Sequence, residues 1–262
     1  MSKRLKIVCI FLCLAIIAAL VVRISLILNI EVPYTAVREP REEYVALAPD
    51  TEDIEDPAPE YEPEEPEEEE PPPLELLPRI VELRNYYDNP DIVGFIEIPN
   101  TNIVYPVAQT GNNVFYLYHD LNWNVSSAGS IFLDYENNLY TLTDDNTIIY
   151  GHNMRNGSMF HNLRYFHGED FFNSHTYILL TTPYRETVWD IFAFFHTTTD
   201  FCYLTTNFFD EDEFYEFMLL LQSMSRWTTD IRILPSDQIL ILSTCGVLGG
   251  NNRYVVVARL RE

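Results

Sequence analysis

Residues 238–245 read QILILSTC, and the glycine-rich turn GVLGGNN follows at 246–252. The aliphatic run has the make-up of a buried strand, and it ends on a cysteine where the chain turns into a loop. RYVVVARLR at 253–261 has the same character. The two segments are therefore expected to pair antiparallel, with Cys245 closing one strand beside Arg253 opening the next. Working outward, six more runs are β-branched or alternate in polarity: IVGFIEI (92–98), IVYPV (103–107), GSIFLD (129–134), TIIY (147–150), YILLT (177–181) and TVWDIFAFF (187–195). Eight strands at short spacing with few helices point to a mostly β fold, a barrel or a sandwich.

One segment breaks the pattern. In DEDEFYEFMLLLQSMS at 210–225, Phe214, Phe217, Met218 and Leu221 recur at helical spacing and make one face apolar. Asp210 with Glu213 three residues on resembles a capping box, so a helix is expected here, before the cysteine strand. LELLPRIVELRNYY at 74–87 reads as a second helical stretch, broken early by Pro78.

The 262 residues are 47% hydrophobic and 14% aromatic, enough to build a core, and carry a formal net charge of -24. Such acidity argues against nucleic-acid binding, which needs clustered Lys and Arg. The only lysines are Lys3 and Lys6, which excludes P-loop and Schiff-base chemistry from the folded part. The acidity is shared: residues 1–78 hold 6 basic and 18 acidic residues, and residues 79–262 hold 10 and 22.

The chain divides by composition into four parts. A cytoplasmic tip at 1–6 carries Lys3, Arg4 and Lys6. Residues 7–30 follow as an apolar segment, IVCIFLCLAIIAALVV and then Ile24–Ile30 beyond Arg23. Length and basic flank fit a transmembrane signal-anchor, and the small-x-small site of a cleavable signal peptide does not follow. By the positive-inside rule the N-terminus is expected in the cytoplasm and everything after Ile30 outside, a single-pass protein of the cell membrane. Residues 31–78 are expected to be an extended extracellular stalk. Between 50 and 70, 13 of 21 residues are acidic, interleaved with prolines, and a self-repelling segment of this kind buries no apolar surface. Residues 79–262 are the folded domain.

Chemistry in that domain must come from Cys, His, Arg or carboxylates. Cys9 and Cys13 lie in the apolar segment, which leaves Cys202 and Cys245 outside it. Two separated cysteines make neither a disulfide framework nor, without clustered histidines, a metal set, so no cofactor or metal is expected. Cys202, in DFCYLT, reads as core or edge. His152 ends the strand IIYGH before the loop NMRNGS, while His119, His161, His167, His175 and His196 read as structural. A cysteine nucleophile, a histidine to exchange the proton and an arginine to hold the oxyanion form a chemically complete set.

IIYGHNM followed by GSMF, LSTC about ninety residues later, and then RYVVVARL together resemble a sortase over residues 80–262. Sortases are membrane-anchored cysteine transpeptidases of Gram-positive cell surfaces. The resemblance implies an eight-stranded β-barrel, with His152, Cys245 and Arg253 as its catalytic residues. GSIFLD, YGHNMRNGSMF and the long helix before the cysteine strand are similar to class B. So is NNVFYLYHD at 112–120, a match that implies Asn113 and Leu117 as substrate contacts together with Ser243 and Thr244 beside the nucleophile. The implied partners are surface proteins with a C-terminal N-P-x-T-N-like or L-P-x-T-G-like sorting motif, and a peptidoglycan precursor or cross-bridge amine. The implied activity is cleavage after the motif's threonine through a thioester, then transfer to that amine.

The alternatives are a pilus-polymerising sortase, a different cysteine acyl-transferase and a non-catalytic wall-associated scaffold. Ser-His-Gly-Cys, which marks an L,D-transpeptidase, is absent, and a papain-like enzyme places its cysteine before its histidine. An Asp-Pro-aromatic lid, usual in pilus polymerases, is replaced by Asp88-Asn89-Pro90. The seven-residue connection from Cys245 to Arg253, shorter than in some sortases, leaves the choice of motif open.

Overall fold

A computed structural model describes residues 74–198, 201–245 and 251–261, and of Cys245 the backbone alone. The expected anchor, nearly all of the expected stalk and the turn at 246–250 lie outside the described residues. No helix among the described residues is long and apolar enough to cross a membrane.

The fold takes hold at Leu77, whose N–H donates to Pro183 O at 2.7 Å. Helix α1 (Pro78–Tyr87) begins on Pro78, so the proline starts the helix: its missing N–H would have no partner in a first turn anyway. Strands β1 (Ile92–Glu97), β2 (Val104–Ala108), β3 (Ile131–Leu133), β4 (Asn146–His152), β5 (Tyr177–Thr181), β6 (Glu186–Thr198), β7 (Ile239–Cys245) and β8 (Asn252–Leu260) correspond to the eight expected runs. They close in the order β1-β2-β3-β4-β7-β8-β6-β5, so the choice between barrel and sandwich falls to the barrel. Six neighbouring pairs are antiparallel; β2–β3 and β4–β7 are parallel.

Alternation along the strands builds two apolar layers. Ile149, Leu240, Leu242, Val256 and Ala258 face the barrel interior with Trp189 and Phe194. Ile148, Ile239, Ile241, Val255 and Val257 face outward, where helix α4 (Glu211–Ser223) covers them with Phe214, Met218 and Leu221. Both faces of β4, β7 and β8 are thus buried over much of their length. That is why ILIL at 239–242 is uniformly aliphatic, as in parallel strands covered on both sides.

Asp210 caps α4, its carboxylate accepting the Glu213 N–H at 2.9 Å. Glu213 reaches back to the N–H of Phe209, at 2.6 Å, one residue beyond the usual target of a capping box. Three short elements carry no sequence signal of their own. They are α2 (Phe115–Tyr118), the 3-10 segment Phe160–His167 and α3 (Glu169–Ser174), all too short for an apolar periodicity.

Met218 is fully buried between α4 and the barrel wall. Met218→Ala should lower unfolding stability by about 2–4 kcal/mol, seen as a reduced denaturation midpoint at unchanged slope. An unchanged midpoint would mean that α4 is not seated on the barrel.

Candidate active site

β4 and β7 run parallel through seven rungs, from Asn146↔Ile239 to His152↔Cys245. Parallel strands finish at the same edge of a sheet, so the last residues of both expected site strands meet at one rim of the barrel. Antiparallel β8 returns from that rim, and its last described rung with β7 is Ser243↔Val255, two residues short of Cys245 and Arg253. Paired positions share a face and alternate along each strand. His152, Cys245 and Arg253 therefore occupy outer-face positions, in phase with Ile148, Ile241 and Val255, which α4 covers farther along. At the rim that cover stops.

A cleft of about 260 Å³ opens there, lined by Asn113, Leu117, Phe132, Tyr150, Leu204, Ser243, Thr244 and Arg253. All four residues singled out as substrate contacts are among these. Ser243 and Thr244 are buried, and their hydroxyls are already engaged. Ser243 Oγ lies 2.8 Å from the Tyr203 hydroxyl, and Thr244 Oγ1 accepts the Tyr254 N–H at 3.0 Å. Phe132, Tyr150 and Leu204 went unnamed in the sequence, where Tyr150 and Phe132 read as ordinary strand residues and Leu204 as loop. Parity with His152 and Cys245 identifies Phe132 and Tyr150, and it is visible only once the register is known; Leu204, in the 201–209 loop, carries no such signal.

His152 Nε2 lies 2.8 Å from the carbonyl of Leu117. A carbonyl carries no proton, so Nε2 is the donor and Nδ1 is left to gain or lose one. The acceptor is itself fixed by Gly129, which has φ +57; a Cβ there would lie 2.6 Å from the carbonyl oxygens of both Tyr116 and Leu117. Only glycine tolerates both the angle and the approach. Tyr116 anchors the same segment from beneath, its hydroxyl donating to Asp91 at 2.8 Å and accepting from Asn89 at 2.9 Å. Burial above all pushes that phenol up to about 12, so it stays protonated and keeps donating.

The buried carboxylate of Asp134 organises one side of the cleft. Its Oδ2 accepts from Asn113 Nδ2 at 2.8 Å and from the Tyr150 hydroxyl at 2.7 Å, and Oδ1 accepts the Glu136 N–H at 3.0 Å. The loop at 201–209 forms the other side. Asn146 Nδ2 donates to Thr205 O at 2.7 Å, and the Thr206 hydroxyl donates to the Glu136 carboxylate. The hydroxyls of Thr206 and then Tyr135 hold the Glu136 carboxyl below the usual range, so this tie is present at neutral pH and is lost on acidification through the lowered value.

Cys202 departs from its expected place in the core or at an edge. It is exposed in the same loop, where Tyr203 instead takes the buried position under Ser243.

The Sortase domain family model matches residues 96–261. The Sortase B of Listeria monocytogenes is 40% identical over 157 residues, 60% of this chain and 63% of that protein. The Sortase B of Staphylococcus aureus is 33% identical over 174 residues, 66% of this chain and 71% of that protein. Among solved structures, a Staphylococcus aureus sortase B–substrate complex superposes with a TM-score of 0.68 at 31% identity, covering 72% of this chain and 87% of the other. The X-ray structure of Clostridium perfringens sortase B gives 0.65 at 36%, covering 70% of this chain and 99% of the other.

Asp134→Asn keeps one acceptor oxygen and sets an amide donor against the remaining donors among Asn113, Tyr150 and the Glu136 N–H. The substitution should cost about 1–3 kcal/mol of stability, with a coupling of at least about 0.5 kcal/mol to Tyr150→Phe in a double-mutant cycle. Additive effects in the cycle would show that Asp134 does not hold Tyr150.

Proposed function

The chain belongs to the sortase family, and from that membership we propose that it is a class B-like cysteine transpeptidase that joins secreted proteins to the cell wall. The donor is a protein ending in a sorting motif of the x-P-x-T-x type, laid in the cleft beside Cys245. The Staphylococcus aureus relative has been solved as a substrate complex, which supports substrate binding by this fold.

The Cys245 thiolate attacks the threonine carbonyl carbon, and the oxygen becomes an oxyanion facing the Arg253 guanidinium. Collapse breaks the C–N bond; His152 gives its proton to the departing amine, and a thioester remains on Cys245. A primary amine of a peptidoglycan precursor or cross-bridge then displaces the sulfur. One observation carries the reading: the terminal rung His152↔Cys245 lies beside a cleft that Arg253 lines, so nucleophile, proton carrier and cation share one rim.

The N-terminal segments suit this work. An anchor at 7–30 holds the enzyme at the membrane where its donors emerge, with the N-terminus inside and residues 79–262 outside. The acidic, proline-rich composition of residues 31–78 suits a spacer between anchor and domain.

The test is intact-mass analysis of the full-length protein incubated with a panel of x-P-x-T-x peptides. A mass increase equal to the peptide up to its threonine is expected on the wild type and not on Cys245→Ala. Arg253→Ala should form the adduct about 10²–10³ times more slowly, the usual loss of an oxyanion donor. No adduct with any peptide, or the same adduct on Cys245→Ala, would overturn the reading.

A further inference from the structure

We propose that a second cleft, lined in part by Gly129 beneath the Leu117 carbonyl, receives the amine that resolves the thioester; the inference rests on the transpeptidase reading above. This cleft holds about 210 Å³, and its lining includes Tyr87, Tyr105, Asp120, Asn122, Ser130 and Met159.

Its position follows from register. Phe132 pairs with Tyr150, so continuing the β3–β4 ladder by two residues brings Ser130 against His152. The close approach is visible one step earlier, where a Cβ on Gly151 would lie 2.4 Å from Ile131 Cδ1. Gly129, which also lines this cleft, lies directly under the carbonyls of Tyr116 and Leu117, while the Leu117 side chain lines the peptide cleft. Gly129 of this cleft and Leu117 of the peptide cleft therefore meet at the Leu117 carbonyl. His152 is bound to that same oxygen. Gly129 of the second cleft and Leu117 of the first thus adjoin the one carbonyl that holds His152.

The chemistry of the lining selects the occupant. No Lys or Arg is among its residues, and Asp120 brings a negative charge. Asp120 Oδ1 is taken by the N–H groups of Asn122 and Asn124, both at 2.9 Å, whereas Oδ2 has only a 3.4 Å contact with Asn124 Nδ2. Oδ2 thus keeps acceptor capacity for an ammonium. The rings of Tyr87 and Tyr105 suit the cation and the aliphatic or peptide arm behind it.

A strained backbone also marks the place. Met159 sits at φ 55, ψ -135, a region almost confined to glycine, with its N–H held by the Tyr105 hydroxyl at 2.9 Å. Met159 pairs with Asn153, closing the loop that leaves His152, so the cleft wall and the histidine are ends of one short segment.

The arriving ammonium loses one proton to water, and its nitrogen lone pair attacks the thioester carbonyl carbon. The new C–N bond forms, the second proton passes to His152 Nδ1, and the C–S electron pair leaves on Cys245 as thiolate. The product is an amide, and the thiolate with its imidazolium is ready for the next peptide.

The test compares wild type, Asp120→Asn and Asn122→Trp in the full-length protein. Asp120→Asn removes the charge but keeps an oxygen for the Asn122 and Asn124 N–H groups, and Asn122→Trp fills the cleft from an exposed position. Each enzyme is acylated with the peptide that labels the wild type, then challenged with triglycine, Nα-acetyl-lysine amide or hydroxylamine. Hydroxylamine is small enough to need no cleft. Acylation and capture by hydroxylamine should match the wild type. Capture by the two larger amines should fall about tenfold in kcat/KM, mainly through KM, the low end of what a focused charge gives. Capture by triglycine and acetyl-lysine amide within twofold of wild type in both variants would overturn the assignment. So would an equal loss with hydroxylamine, because the damage would then lie at the thioester itself. Failure of the wild type to acylate would instead remove the transpeptidase reading, and this inference with it.

Discussion

The parallel pairing of β4 with β7 is the constraint on which the rest of the site depends. Ladder hydrogen bonds tie Asn146–His152 to Ile239–Cys245 rung by rung, so any residue that ends one strand must lie beside the residue that ends the other. Had the two strands run antiparallel, His152 would face the start of β7, and no side-chain rearrangement would bring it to Cys245. Side-chain parity does the remainder. The face that α4 covers along the middle of the strands is the same face that opens at the rim. Barrel stability and the cleft are thus consequences of a single alternation, with apolar residues where the helix sits and reactive ones where it ends.

Around that frame the fixed groups are mostly backbone and buried polar atoms. Gly129 lets the 116–117 backbone come down onto β3, which sets the carbonyl that orients His152. Asp134 saturates its carboxylate with Asn113, Tyr150 and the Glu136 N–H, so the cleft side it supports is held by charge-assisted hydrogen bonds. Glu136 ties this side to Thr206 in the loop whose Leu204 lines the cleft. A substrate meeting this site finds both sides already ordered, which reduces the entropy that binding must overcome.

Much of this was legible in the residues and some was not. The eight strands were readable because β-branched and aliphatic runs are bounded by turn residues. Asp210 with Glu213 and the spacing of Phe214, Met218 and Leu221 announced α4. Barrel closure, and the parallel sense of β4 and β7, rest on contacts between runs nearly a hundred residues apart, and no local pattern encodes them. The short α2 was hidden because four residues have no periodicity. Asp134 looked like the end of a strand, and its role appears only when Asn113 and Tyr150 arrive from elsewhere. Cys202 misled because its aromatic neighbours suggested burial, and it is Tyr203 that takes the inward place.

The central claim is the terminal rung, and the most direct measurement is a cross-link across it. Paired strand positions lie about 4.8 Å apart, inside the range a disulfide spans. In a full-length chain with Cys9, Cys13 and Cys202 replaced by serine, His152→Cys should form a disulfide with Cys245 under mild oxidation. The bond would be identified by peptide mapping, and the same substitution at Asn146, at the far end of the ladder, should give none. Failure to cross-link at 152, or equal cross-linking from 146, would contradict the register from which the whole account is built.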